Sequence, residues 1–150
     1  MGRRSWVDIE ESVILMDMYV DRKEKTILVV EDERPLLEAI KVTLENAGFA
    51  VVTAQSIEQA QNHLQDIGSV DAIWLDHYLL GKGNGLDFVI TCKREDSWCK
   101  NIPIFVVSNT ASPEKVQAYM KLGINKYYVK AEKRLDVIIK EMKEELENKE

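Results

Sequence analysis

Four short apolar runs in this 150-residue chain each end on polar or charged side chains, and that repetition restricts the fold more than any other feature. Ile27-Leu28-Val29-Val30 leads into Glu31 and Asp32, and Ala72-Ile73-Trp74-Leu75 leads into Asp76. Ile104-Phe105-Val106-Val107 leads into Ser108, and Tyr127-Tyr128-Val129 into Lys130. Runs this short, rich in branched residues and separated by stretches with helical periodicity, predict buried strands of a parallel sheet. Ligands of open α/β sheets bind just outside the carboxyl ends of the strands. The pattern therefore brings Glu31, Asp32, Asp76, Ser108 and Lys130 to one edge, a grouping suited to ions and phosphoryl groups.

The alternation is continuous from Thr26. A strand over 26–31 precedes a helix over about 33–47, with Pro35 in its first turn, where a missing N–H costs nothing, and Gly48 at its end. A strand over 49–54 is followed by Ser56, a suitable N-cap for a helix with Ile57, Ala60, Leu64 and Ile67 on its apolar face. The third strand covers 71–76, and a loop with Gly81, Gly83 and Gly85 leads to a helix carrying Leu86, Val89, Ile90 and Lys93. A fourth strand at 102–107, a helix opened by Ser112-Pro113-Glu114 and closed by Gly123, a strand at 126–129 and a last helix with Leu135, Ile138, Met142 and Leu146 complete the series. Five βα units give one domain, 26–150, with a five-stranded parallel sheet covered on both faces. Residues 1–25 form an extension: Trp6, Ile9, Val13, Met16 and Val20 are spaced for an amphipathic helix, and a disordered segment is the alternative.

Composition narrows the function classes. A net charge of −6 and a pI near 5.1 argue against a nucleic-acid surface. No apolar run approaches the roughly 18 residues of a membrane span, and the amino end lacks the pattern of a secretory signal. Cys92 and Cys99 have neither zinc-site nor CxxC spacing and read as reduced thiols of a cytoplasmic protein.

Clustered carboxylates repel, by on the order of 4 kcal/mol for two charges 4 Å apart at an effective dielectric of about 20. Glu31, Asp32 and Asp76 therefore call for a cation between them or for protons. Hard oxygen donors in an incomplete cage suit Mg²⁺. Asp76, on the central strand, is placed to act as a nucleophile towards phosphorus; Ser108 can donate to one phosphoryl oxygen and Lys130 can neutralise another.

The residues also carry a resemblance. Ile27 through Glu33, Trp74-Leu75-Asp76, Asn84-Gly85-Leu86, Val107-Ser108 and Gly123 through Lys130 together resemble the receiver domain of two-component response regulators, over about residues 26–147. The resemblance implies a flavodoxin-like (βα)5 doubly wound sheet with strand order 2-1-3-4-5, and Asp76 as phosphoacceptor for a histidine kinase or histidine phosphotransfer protein. It implies Mg²⁺ held by Asp32, Asp76 and the backbone carbonyl of Tyr78, with Glu31 assisting through water. Ser108 and Tyr127 become the switch pair, the hydroxyl moving to the phosphoryl group as the ring turns inward. The implied protein is a stand-alone cytoplasmic signalling domain, a monomer or weak homodimer that acts on a downstream protein target and contacts neither nucleic acid nor membrane. It catalyses its own phosphorylation and dephosphorylation and no other reaction.

Four positions depart from the family's usual residues: Ala131 stands where Pro follows the lysine, Leu80 where Pro follows the acceptor by four residues, Asn109 after the switch hydroxyl, and Tyr78 at a variable position bordering the pocket. The peptide after Lys130 is expected to be trans, with Glu132 and Lys133 solvated. One rival reading is a pseudo-receiver that binds proteins without being phosphorylated. A phosphatase with an Asp nucleophile would need a second Asp where Tyr78 stands.

Overall fold

The five apolar runs become five parallel strands because each is buried on both faces or closes an edge. They are β1 (Thr26–Val30), β2 (Ala50–Ala54), β3 (Ala72–Leu75), β4 (Ile104–Ser108) and β5 (Lys126–Val129), in the spatial order β2-β1-β3-β4-β5. The computed structural model describes residues 24–79, 84–97 and 99–148, so the expected helix of the N-terminal extension and residues 80–83 of the glycine loop lie outside the described residues. The helices are α1 (Arg34–Asn46), α2 (Ile57–Ile67), α3 (Gly85–Cys92), α4 (Pro113–Leu122) and α5 (Leu135–Asn148).

Alternate residues of the central strands feed two separate cores, as the period of two along a strand requires. Ile27, Val29, Ala72, Trp74, Phe105 and Val107 pack with α1 and α5 through Leu37, Ile40, Leu44, Ile138, Ile139 and Met142. Leu28, Val30, Ile73, Leu75, Ile104 and Val106 pack with α2, α3 and α4 through Ala60, Leu64, Phe88, Val89 and Tyr119. Helix ends follow local chemistry. Ser56 accepts from the Gln59 N–H, Asn84 and Asp87 form a reciprocal capping box, Ser112 accepts from the Lys115 N–H, and Gly123 ends α4 at φ 91°.

Several boundaries and faces differ from the sequence expectation. β4 starts at Ile104 rather than Ile102, because Pro103 has no N–H to give a ladder, and it runs on through Ser108. Ile67, expected on the apolar face of α2, is 45% exposed and does not join the core, being the last residue of that helix. Ile139 takes a buried place on α5 beside Ile138. Lys133 is not simply solvated, since its ammonium pairs with both carboxylate oxygens of Glu141 at 2.9 and 3.0 Å and stands over the Tyr128 ring.

Gly85 fixes the start of α3 against the end of β3. Its N–H donates to the His77 carbonyl at 3.0 Å. A Cβ there would fall 2.6 Å from the Tyr119 hydroxyl and 2.9 Å from the Asp76 carbonyl oxygen. Tyr119 has no room to yield, being fully buried and hydrogen-bonded to His77. Gly85→Ala should therefore lower stability by about 1–3 kcal/mol, as overpacking does. A urea unfolding midpoint equal to that of the natural sequence would contradict the close approach.

Candidate functional site

Three of the polar residues at the site are held by one further ladder bond beyond, or at the end of, their strands. The Glu31 N–H donates to the Ala54 carbonyl at 2.9 Å, the Asp76 N–H to Val30 at 3.0 Å, and the Lys130 N–H to Ser108 at 2.8 Å. The sheet itself thus sets where these side chains start, and the alternation of the strands decides which of them point inward.

The structure brings Glu31, Asp32 and Asp76 together: one carboxylate oxygen from each lies within 4.8 Å of the others. Lys130 closes the group. Its ammonium is 2.7 Å from Glu31 Oε1 and 3.6 Å from Asp76 Oδ2. The other Glu31 oxygen accepts from the Glu33 N–H at 3.1 Å. Glu31 and Ser108 are fully buried, Asp76 is nearly so, and Asp32 is half-buried. Ser108 Oγ accepts from the Thr110 N–H at 3.5 Å, and the Tyr127 hydroxyl donates to the Thr110 carbonyl. Tyr127 also rests against Tyr119, with ring centres 5.8 Å apart.

Burial dominates the electrostatics. It raises the Glu31 carboxyl to about 7 against the opposing pull of Lys130, and the nearby Asp76 charge adds to the rise. Burial also raises Asp76, and Lys130 opposes it. Three carboxylates against one ammonium leave two negative charges uncompensated, which protons relieve at the cost of the carboxylate form. A divalent cation relieves the same excess without protons, and an all-oxygen donor set with a solvent-facing member in Asp32 fits Mg²⁺.

All the side chains expected at the edge from sequence are found there. His77 faces away from the carboxylates, as alternation predicts, and shares a 2.6 Å hydrogen bond with the buried Tyr119 hydroxyl. Burial holds its imidazole below the usual histidine range, with Lys115 acting in the same direction. The peptide after Lys130 is trans, since the described residues contain no cis peptide bond. A turn in which the Glu132 N–H donates to the Val129 carbonyl at 3.0 Å still lets Lys130 reach the carboxylates. Sequence reasoning missed Lys115, whose ammonium binds the Tyr78 hydroxyl at 2.9 Å and Thr110 Oγ1 at 2.7 Å. A lysine in the first turn of a helix reads as solvated, and nothing in its spacing signals these partners.

A pH dependence follows from Glu31. Between about pH 4.5 and 7 the folded protein keeps a proton that the unfolded chain has released, so this group's contribution to stability falls as pH rises through that window. His77, with its lowered value, works in the opposite sense. The stability difference between the natural protein and Glu31→Gln should therefore shift against the natural protein from pH 4.5 to 7 in the absence of metal, and parallel denaturation curves at the two pH values would refute it.

Comparison with known proteins agrees with this geometry. A family profile described as the response regulator receiver domain matches residues 27–143. The phosphate regulon transcriptional regulatory protein PhoB of Escherichia coli is 35% identical over 106 residues, which cover 71% of this chain and 45% of PhoB. The chain thus spans less than half the length of that relative. Among solved structures, the phosphorylated cyanobacterial phytochrome response regulator RcpA aligns with a TM-score of 0.72 at 27% identity, over 81% of this chain and 92% of RcpA. The chemotaxis response regulator CheY4 of Vibrio cholerae shares the fold with a TM-score of 0.71 at 24% identity, over 81% and 98%.

Proposed function

Because the chain belongs to the family of response regulator receiver domains, we propose that it accepts a phosphoryl group on Asp76 from a phosphohistidine of a histidine kinase or phosphotransfer protein. The observation that carries this reading is the convergence of Lys130 on Asp76 and Glu31 beside Asp32. The similar cyanobacterial protein RcpA is described in phosphorylated form, which supports it.

In the transfer, a carboxylate oxygen of Asp76 attacks phosphorus as the phosphorus–nitrogen bond breaks. The bonding pair leaves with the donor imidazole, which takes a proton and becomes neutral histidine. Catalysis is chiefly placement and charge neutralisation. Lys130 compensates charge on the phosphoryl oxygens, and the Ser108 hydroxyl can turn from Thr110 to donate to another. Asp32, Asp76 and the carbonyl of Tyr78, with Glu31 through water, are the residues that would hold Mg²⁺, which when bound offsets the remaining phosphoryl charge. Catalysis is confined to the domain's own phosphorylation and its reversal by water.

Tyr127 supplies a route outward. Its hydroxyl is tied to the loop after Ser108, and the same residue lines a groove of about 580 Å³ with Val116 and Met120 of α4 and Glu141 of α5. A downstream protein reading that groove would sense the tyrosine's position. No helix among the described residues is long and apolar enough to cross a membrane, and a cytoplasmic setting, in which Cys92 and Cys99 stay reduced, belongs to the same proposal.

Incubation with acetyl phosphate and Mg²⁺ should add one phosphoryl mass to the intact protein, and Asp76→Asn should take up none. Undiminished labelling of that variant would reassign the acceptor, and an unlabelled natural protein would favour a pseudo-receiver. In the same buffer without phosphodonor, Mg²⁺ should raise the melting temperature as ligand linkage demands, and Asp32→Asn should remove that rise. An equal rise in the variant would exclude Asp32 as a ligand.

A further inference from the structure

The described chain begins at Glu24, beside the C-terminal end of α5, where the Lys25 ammonium donates to the Leu146 carbonyl at 3.4 Å. The neighbouring Glu145 accepts from the Asn125 side-chain amide at 3.1 Å and stands 3.9 Å from the Lys126 ammonium. Asn125 and Lys126 lie at one end of the groove in which Tyr127 stands. The chain before Glu24 therefore leaves the domain next to that end of the groove. The floor is β5, whose outer edge pairs with no strand among the described residues, and one wall is α4 with Val116 and the 48% exposed Met120. An open strand edge beside an apolar wall is a surface that proteins cover with a helix or a loop.

The sequence of residues 5–21 suits this groove. Trp6, Ile9, Val13, Met16 and Val20 are spaced to share one helical face. Residues 21–24 reach about 13 Å when extended, enough to round the end of a helix about 10–12 Å across, and a helix over 5–20 is about 24 Å long. The charges match in one direction along the groove. Asp17 and Asp21 come first to Lys126, which is exposed and only distantly paired with Glu145. Arg3 and Arg4 come to the other end, where Glu132 lines the groove and Lys133 is already paired with Glu141. We propose that residues 5–21 form an amphipathic helix that lies over β5 between α4 and α5, so that the chain covers its own Tyr127 face. The contact is autoinhibitory, because a downstream protein and the segment compete for one groove. The cover needs no phosphoryl group on Asp76.

Hydrogen exchange of the full chain, read by mass spectrometry, tests the contact. Amides of residues 5–20 should exchange at least about tenfold more slowly than in an unstructured chain, as in a segment closed about nine-tenths of the time. Val13→Asp on the segment and Met120→Asp on the groove should each return them to the unstructured rate and speed exchange at 126–129, while β1 and β3 keep their protection. Glu11→Gln, on the opposite side of the helix from Val13, should change nothing. Exchange of 5–20 at the unstructured rate in the natural sequence, or protection that survives Met120→Asp, would overturn the proposal. Protection that disappears on dilution, together with a doubled mass in sedimentation, would also overturn it, since a second copy would then supply the cover. No phosphodonor is present, so none of these outcomes bears on Asp76 as acceptor.

Discussion

Three carboxylates at one edge of a parallel sheet repel each other, and the stability of that edge depends on where Lys130 puts its ammonium. It lies closer to Glu31, at 2.7 Å, than to Asp76, at 3.6 Å. The fully buried Glu31 therefore receives the direct pair, and Asp76 receives a weaker one. A buried charge without a partner is far more costly than an exposed one, so this division of one cation between two anions follows the depth of each. It leaves negative density on Asp76, and it leaves the cluster short of positive charge. The shortage makes the site responsive to a metal ion or a transferred group.

The sheet makes this arrangement possible without strain. Glu31, Asp76 and Lys130 take their backbone positions from single ladder bonds to Ala54, Val30 and Ser108. The packing that holds those ladders is divided between the two faces, with Trp74 and Phe105 on one side and Ile73 and Ile104 on the other. Positions anchored in this way are set before any side chain at the site is chosen. That explains how carboxylates that destabilise the edge are tolerated there.

The strands, their parallel sense and the identity of the edge residues were legible because burial on both faces and the βα alternation leave a strong linear signal, whereas the order 2-1-3-4-5 came only with the family resemblance. Asp76 and Lys130 could be placed from sequence because each immediately follows an apolar run. Lys115, Thr110 and the His77–Tyr119 bond were not legible, since each depends on how two loops and a helix meet in space. Lys115 and Tyr78 are 37 positions apart. Which face of α3 meets the sheet was not legible either, because this short helix has apolar residues on more than one side and periodicity alone does not choose between Val89 and Ile90.

Thr110 shows how a local charge event can travel. All three of its polar groups are engaged: the N–H with Ser108 Oγ, the carbonyl with the Tyr127 hydroxyl, and Oγ1 with Lys115. On the proposed reading, a phosphoryl group on Asp76 draws the Ser108 hydroxyl towards it and takes away the acceptor of the Thr110 N–H. The shift of that backbone alters the carbonyl that anchors Tyr127 and the hydroxyl that shares Lys115 with Tyr78. The groove-lining Tyr127 and the Lys115–Tyr78 contact are therefore linked through one exposed residue. Such a linkage needs no long path of packed side chains, because a rearranged hydrogen-bond set at one loop biases both ends at once.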